Sequence, residues 1–242
     1  MTVTSFLFAA AFALVHIGIG WLRFLDRTPR SRWLSAAGGV AVTYIFLHVL
    51  PELAAHSATF AMHLNTTEES ADALVYSLSL AGLVVFYGLE RVIKVSRQDV
   101  ALSEKVNANE APFWLHIGSF AIYNLIIGYL LLHREESGYV SLLIYGLAMA
   151  LHFVTNDFGL RQDHKARYDK TARWILAGAV ILGWTLGWLT DLPAVWVDLL
   201  FAFLAGAVVL NVLKEELPDE RESRLWPFVG AVLAYAALLL AI

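Results

Sequence analysis

The sequence predicts an all-α integral membrane protein of eight transmembrane helices, and three observations predict it. Hydrophobic residues make up 59% of the 242 and charged residues 16%, with a mean hydropathy of +0.63; a soluble domain of this size carries far more polar surface. The apolar residues fall into eight segments, each near the roughly 20 residues that a span requires. The basic residues gather on one side of those segments, which a miscounted span would scramble. The net charge of −4 says little by itself, and the absence of cysteine excludes disulfides and thiolate metal sites.

Span one covers about 3–22 and is followed by arginines without a small-residue cleavage signal, so it reads as a retained span. Span two, about 34–62, carries His48, Glu52 and His56 four residues apart, hence on one helical face. Pro51 within it removes the backbone hydrogen bond to residue 47 and bends the helix. A freed carbonyl beside an imidazole and a carboxylate suits zinc and neighbouring divalent metals. The same three residues also fit a buried polar cluster that fixes helix packing. Span three, about 73–93, follows an acidic connection (Glu68, Glu69, Asp72) that reads as a solvated turn or as a weak collecting surface for cations.

A polar stretch, roughly 94–111, leads to span four, about 112–132, in which Tyr123 and Asn124 suit helix–helix hydrogen bonds. The lone histidines His16 in span one and His116 in span four read as packing residues with satisfied rings. Span five, about 139–160, places His152 and Asn156 on one face with Asp157 one step round. Asp157 has an alternative partner in Arg161, four residues on. Span six, about 172–190, holds Gly178, Gly183 and Gly187, small residues that permit close helix approach in lipid. Trp174, Trp184, Trp188 and Trp196 around it are expected interfacial anchors. Span seven, about 193–214, brings Asn211 and Glu215 four apart, although Lys214, Glu215 and Glu216 also stand where the helix end would be wet. Span eight, about 226–242, is short, near the lower limit for a crossing.

Sixteen of the seventeen Lys and Arg lie in loops one, three, five and seven, and only Arg134 lies opposite. The positive-inside rule then puts the odd loops in the cytoplasm and both termini outside, in a multi-pass plasma (inner) membrane protein. Residues 1–242 read as a single membrane domain. Within it, GVAVTYIFLHVLPE (39–52) and GAVVLNVLKEELPD (206–219) are echoes of one another. Gly39 aligns with Gly206, Pro51 with Pro218 and Glu52 with Asp219. Spans two and seven run in opposite directions, so the echo is an inverted repeat, a pattern that places a polar site at the seam. The sequence holds no phosphate-binding glycine loop, HExxH or Gly-x-Ser-x-Gly, and an enzyme is not expected.

FLHVLPELAAH (46–56) resembles the second span, and FAFLAGAVVLNVLKEELPDE (201–220) the seventh span, of the ZIP (Zrt/Irt-like) family of divalent metal transporters. The resemblance implies a 3+2+3 inverted-repeat bundle: repeat one about 1–93, central helices about 112–160, repeat two about 172–242. That family's fifth span typically reads His-Glu-x-x-(His/Glu)-Gly, which sets His152, Phe153, Asn156 and Asp157 at the four positions. Its fourth span typically reads His-Asn-x-x-(Asp/Glu)-Gly, against Ser119, Phe120, Tyr123 and Asn124 here, so those ligands are replaced. The histidine-rich cytoplasmic loop common in the family is absent. The resemblance implies transport of zinc, iron or manganese by alternating access. His48, Glu52 and His56 from span two, His152, Asn156 and Asp157 from span five and Glu215 from span seven are the candidate metal ligands. The expected partners are the lipid bilayer and a divalent metal ion, with no nucleic acid; a homodimer is compatible with the pattern. The replaced ligands on span four motivate an alternative, a non-transporting ZIP-like sensor or structural partner. A channel or carrier for another small solute is the third reading.

Overall fold

The computed structural model describes residues 2–22, 32–102, 111–134, 138–216 and 224–241. Among them there are helices and no strands. Six helical runs are long and apolar enough to cross a membrane, and Leu225–Leu240 is a shorter apolar helix. The chain is therefore an all-helical, membrane-embedded protein. Its helices are α1 (Thr2–Gly18), α2 (Arg32–Tyr44), α3 (Leu50–Leu64), α4 (Glu68–Leu102), α5 (Ala111–Leu130), α6 (Tyr139–Arg167), α7 (Arg173–Leu189), α8 (Ala194–Glu216) and α9 (Leu225–Leu240).

Seven continuous helical runs stand where eight separate spans were expected, because the fifth and sixth are joined from Tyr139 to Leu189. The join has a physical cause. His164 leaves helical geometry (φ −135°, ψ 34°), and a π-helical turn, Tyr168–Ala172, follows. Contacts with α1 show what this does to direction. Phe12 meets Phe153 at 5.2 Å between ring centroids and His16 meets Asp157, so α6 runs parallel to α1. Trp184 Nε1 donates to Ser5 Oγ (3.1 Å) and Tyr168 donates to the His16 carbonyl (3.2 Å), so α7 runs back. The run doubles over at His164 without an intervening loop. A second departure is α4, which continues to Leu102 across the start of the expected polar linker, where neither Gly nor Pro interrupts it.

Pro51 is accommodated by a π-helical turn, Ile45–Val49, and the Leu50 N–H reaches back to the Ile45 carbonyl. Widening the turn by one residue removes the clash that a proline ring makes with a regular helix. α3 then ends at Asn65, whose positive φ of 51° is the left-handed conformation that closes a helix.

Close backbone contact at glycines ties the helices into two groups. Gly82 of α4 lies against the Phe203 carbonyl of α8, and Gly206 of α8 lies against the Ser79 carbonyl of α4. Gly39 of α2 meets the Phe228 carbonyl and Ala231 of α9. These contacts, with α3 packed on α4 and α8, make a first bundle of α2, α3, α4, α8 and α9. In the second bundle Gly128 of α5 touches the Val180 carbonyl of α7, Gly183 of α7 touches the Leu125 carbonyl of α5, and Phe8 of α1 fills the space over Gly146 of α6. Any side chain at these glycines would collide with backbone or a ring, which is how small residues bring helices together without a hydrophobic driving force. Between the bundles the contacts are mostly aromatic: Tyr44 with Tyr145, and Phe86 with Phe120 and Tyr123.

Candidate functional site: a cavity at the seam between the bundles

One cavity opens along that seam, with about 500 Å³ of empty space, open solvent at its mouth included. Tyr44, Glu52, His56 and Phe201 line it from the first bundle, and His133, Arg134, Tyr145 and Met149 from the second. The π-helical turn ahead of Pro51 sets the local geometry. His48 lies in that turn with its Nε2 3.5 Å from Glu52 Oε2, and its ring lies 4.8 Å from the Tyr44 ring. Both the His48 and Glu52 side chains are largely buried. At the mouth the Arg134 guanidinium sits 5.8 Å over the Tyr145 ring and donates to Ser141 Oγ (3.0 Å).

His56 is fixed across the first bundle. Its Nδ1 is 2.6 Å from Asp198 Oδ1 of α8, with both side chains buried, and Phe201 packs on its ring at 4.4 Å. Since a carboxylate only accepts, Nδ1–H donates and the neutral tautomer keeps its lone pair on Nε2. This carboxylate–histidine arrangement is the one that orients metal-ligating imidazoles.

The cavity continues in chemical character along α6. Tyr145, Met149, His152 and Asn156 follow the helical period and form one stripe. The upper two line the cavity and the lower two lie buried beneath it. His152 Nε2 meets the Tyr123 hydroxyl of α5 at 2.8 Å, and Tyr123 also interacts with Asn211 of α8. Among the described residues, His152 Nδ1, Asn156 Nδ2, Asn211 Nδ2 and Asn124 Oδ1 are buried atoms with no hydrogen-bond partner. Native interiors leave few such atoms, and each marks a place for water, an ion or movement. Asp157, one step round, belongs to a different contact: its Oδ2 is 2.6 Å from His16 Nδ1, both side chains being fully buried.

The expected metal ligands are thus distributed over three places. His48, Glu52 and His56 border the cavity or its wall, His152 and Asn156 lie in the buried stripe, and Asp157 pairs with His16. The side chain of Glu215 lies outside the described residues. Among the described residues no three His, Asp or Glu side chains gather as a metal-holding group. Arg161 pairs with Asp169 in two hydrogen bonds (2.8 and 3.1 Å), which corrects the Asp157–Arg161 alternative. His16 and His116 are buried and each ring bonds a carboxylate, in line with packing residues whose rings have partners. Trp184, expected as an interfacial anchor, is partly buried and bonded to Ser5.

Asp198 and Arg134 are the site residues that the sequence reading left without a role. Asp198 was legible as an acid inside the apolar run AVWVDLLFAF, and Arg134 as the lone basic residue away from the others. Comparison of the chain with protein families, with curated proteins and with solved structures finds no match. Fold and cavity define a helical, membrane-embedded protein with a largely apolar cavity, bordered by a few ionisable side chains, between two groups of helices.

Proposed function

We propose that the protein is a divergent ZIP-like transporter that moves a divalent cation (zinc, iron or manganese) by alternating access. The observation that carries the reading is the seam cavity. It is bordered by Glu52 and by a carboxylate-held His56, and it is followed along α6 by His152, whose buried Nδ1 has no hydrogen-bond partner among the described residues, and by Asn156. Alternating access needs two groups of helices that move against one another around a shared site, and the seam is where they would do so. Glu52 and His48 would take the ion at the mouth, and the α6 stripe would pass it inward.

The eight-crossing, 3+2+3 reading draws support from the doubled-back run at His164 and from the glycine contacts. Under an exchange of spans two with seven and three with eight, the contact of Gly39 in α2 with α9 corresponds to that of Gly206 in α8 with α4. These are the two glycines that the sequence echo aligns. The basic end, with Arg91, Lys94, Lys165 and Arg167, is the cytoplasmic one under the positive-inside rule, so the cavity opens outward and both termini lie outside.

The test is uptake of zinc, iron(II) and manganese into proteoliposomes, with Glu52→Gln and His152→Ala. Metal-dependent accumulation that both variants reduce supports the reading; accumulation indifferent to both removes the proposed path. One observation favours a second reading, a non-transporting sensor or structural partner. The Tyr123 hydroxyl already engages His152 Nε2, an atom that a metal would otherwise take. Saturable binding measured by calorimetry without any accumulation in vesicles would select it.

A further inference from the structure

At the end of the seam opposite the cavity, four ionisable side chains form one continuous chain. His164 Nε2 is 3.0 Å from His116 Nδ1. His116 Nε2 is 3.1 Å from Glu90 Oε1, and Lys214 Nζ is 2.6 Å from Glu90 Oε2. His116 is buried, its side chain 2% exposed, and His164 stands half-buried at the break where α6 doubles back. The two histidines belong to the second bundle (α5 and α6). Glu90 and Lys214 belong to the first (α4 and α8). The His116–Glu90 contact therefore crosses the seam.

We propose that this contact is a proton-controlled gate, closed when the His116–His164 pair takes one proton from the solution at the basic end and released when that proton returns there. The charges explain the direction. Glu90 and Lys214 form an ion pair within the first bundle, so the Glu90 charge is already partly balanced. With both imidazoles neutral, His116 Nε2–H donates to a carboxylate that is already paired, and the seam is held by one hydrogen bond. A proton added to the pair is shared across the Nδ1···Nε2 contact. It gives the second bundle a buried positive charge facing Glu90, which adds attraction between opposite charges to the hydrogen bond already made there. The state that binds more protons gains as pH falls, so acid holds the gate shut. Around the pair, Phe113 packs on the His164 ring at 5.2 Å and carries the Arg167 guanidinium on its own face at 5.4 Å. Among the described residues, the charged groups that contact the gate or its aromatic neighbour include Glu90 from α4, Lys214 from α8, and His164 and Arg167 from α6. Its role as a gate rests on the alternating-access reading; the proton site at the seam does not.

The chain has no cysteine, so a pair of introduced ones reports cleanly. Val95→Cys on α4 and Ala166→Cys on α6, both exposed and uncharged in the native chain, place spin labels on either side of the gate. The full chain in phosphatidylcholine–phosphatidylglycerol vesicles is measured by double electron–electron resonance from about pH 5 to 8, the range over which histidine commonly changes charge. The expected result is a single short distance at low pH and a growing longer population as pH rises. That dependence should be lost in Glu90→Gln and in His116→Gln. His164→Gln, at the less buried end of the chain, serves where the other two fold poorly. A wild-type distance that ignores pH overturns the proposal, as does a pH response that the variants share. A pH-dependent distance in a protein that takes up no metal would leave the gate standing and remove the transport reading.

Discussion

Two buried carboxylate–histidine pairs, His56–Asp198 and His16–Asp157, hold helices together by a single short contact each. In each pair the imidazole makes the short contact to the buried carboxylate, with His63 a second neighbour of Asp198 at 3.9 Å and Tyr168 a second neighbour of Asp157. Removing one partner of a buried pair typically costs about 3–5 kcal/mol, since the other is left uncompensated. We expect His56→Ala to lower stability by that order, measured as denaturant unfolding in mixed micelles. Asp198→Asn, which keeps an acceptor for the His56 N–H, should cost only about 1 kcal/mol, the worth of a typical hydrogen bond. Equal losses in the two variants would mean that the pair carries no such weight. This scale is also where the sequence was least complete. His56 was visible because it repeats a four-residue spacing with His48 and Glu52. Its partner was not, because a contact between residues 142 apart has no local signature. Glu90 escaped for the same reason: its partners, His116 and Lys214, come from two other helices.

Helix α7 contains its own controlled experiment. A Cβ at Gly183 would collide with the Leu125 carbonyl of α5, whereas a Cβ at Gly178, five residues earlier, meets nothing within 4 Å. Gly183→Ala should therefore separate α5 from α7 and sharply lower the thermal midpoint of the detergent-solubilised protein. Gly178→Ala should leave it unchanged or raise it, with a gain in stability of up to about 1 kcal/mol, since Gly is the poorer helix former. The reverse order would contradict the proposed packing. Helix positions were largely legible because membrane-length apolar runs are a strong signal. The breaks were harder. His164 ends regular helix in a stretch, GLRQDHKARYDK, that has no proline and only a leading glycine. A continuous helical connection there follows from tertiary contact with α1 rather than from local propensity. The π-helical turn before Pro51 was half legible: the proline announced a disturbance, but its form depends on how α2 packs against α6 and α9.

The described residues form two glycine-knit groups of helices with a cavity at one end of their seam and a charged contact at the other. That arrangement, more than any ligand set, is what the transport proposal rests on, and under that proposal the two ends of the seam alternate. Opening the His116–Glu90 contact should narrow the cavity at Glu52 and Arg134. The expected signature is reciprocal labelling of single cysteines by a membrane-impermeant maleimide, one beside Arg134 and one beside Lys94, rising at one end as it falls at the other. Labelling that rises at both ends together would instead indicate a channel. The most direct test of the central claim is zinc accumulation by proteoliposomes containing the wild-type chain or Glu52→Gln, each against protein-free vesicles. The account predicts saturable accumulation by the wild type and a reduction of at least about tenfold in the variant, the scale on which even supporting residues of a metal site act. Wild-type accumulation no greater than that of empty vesicles, from protein shown to be folded, would contradict it.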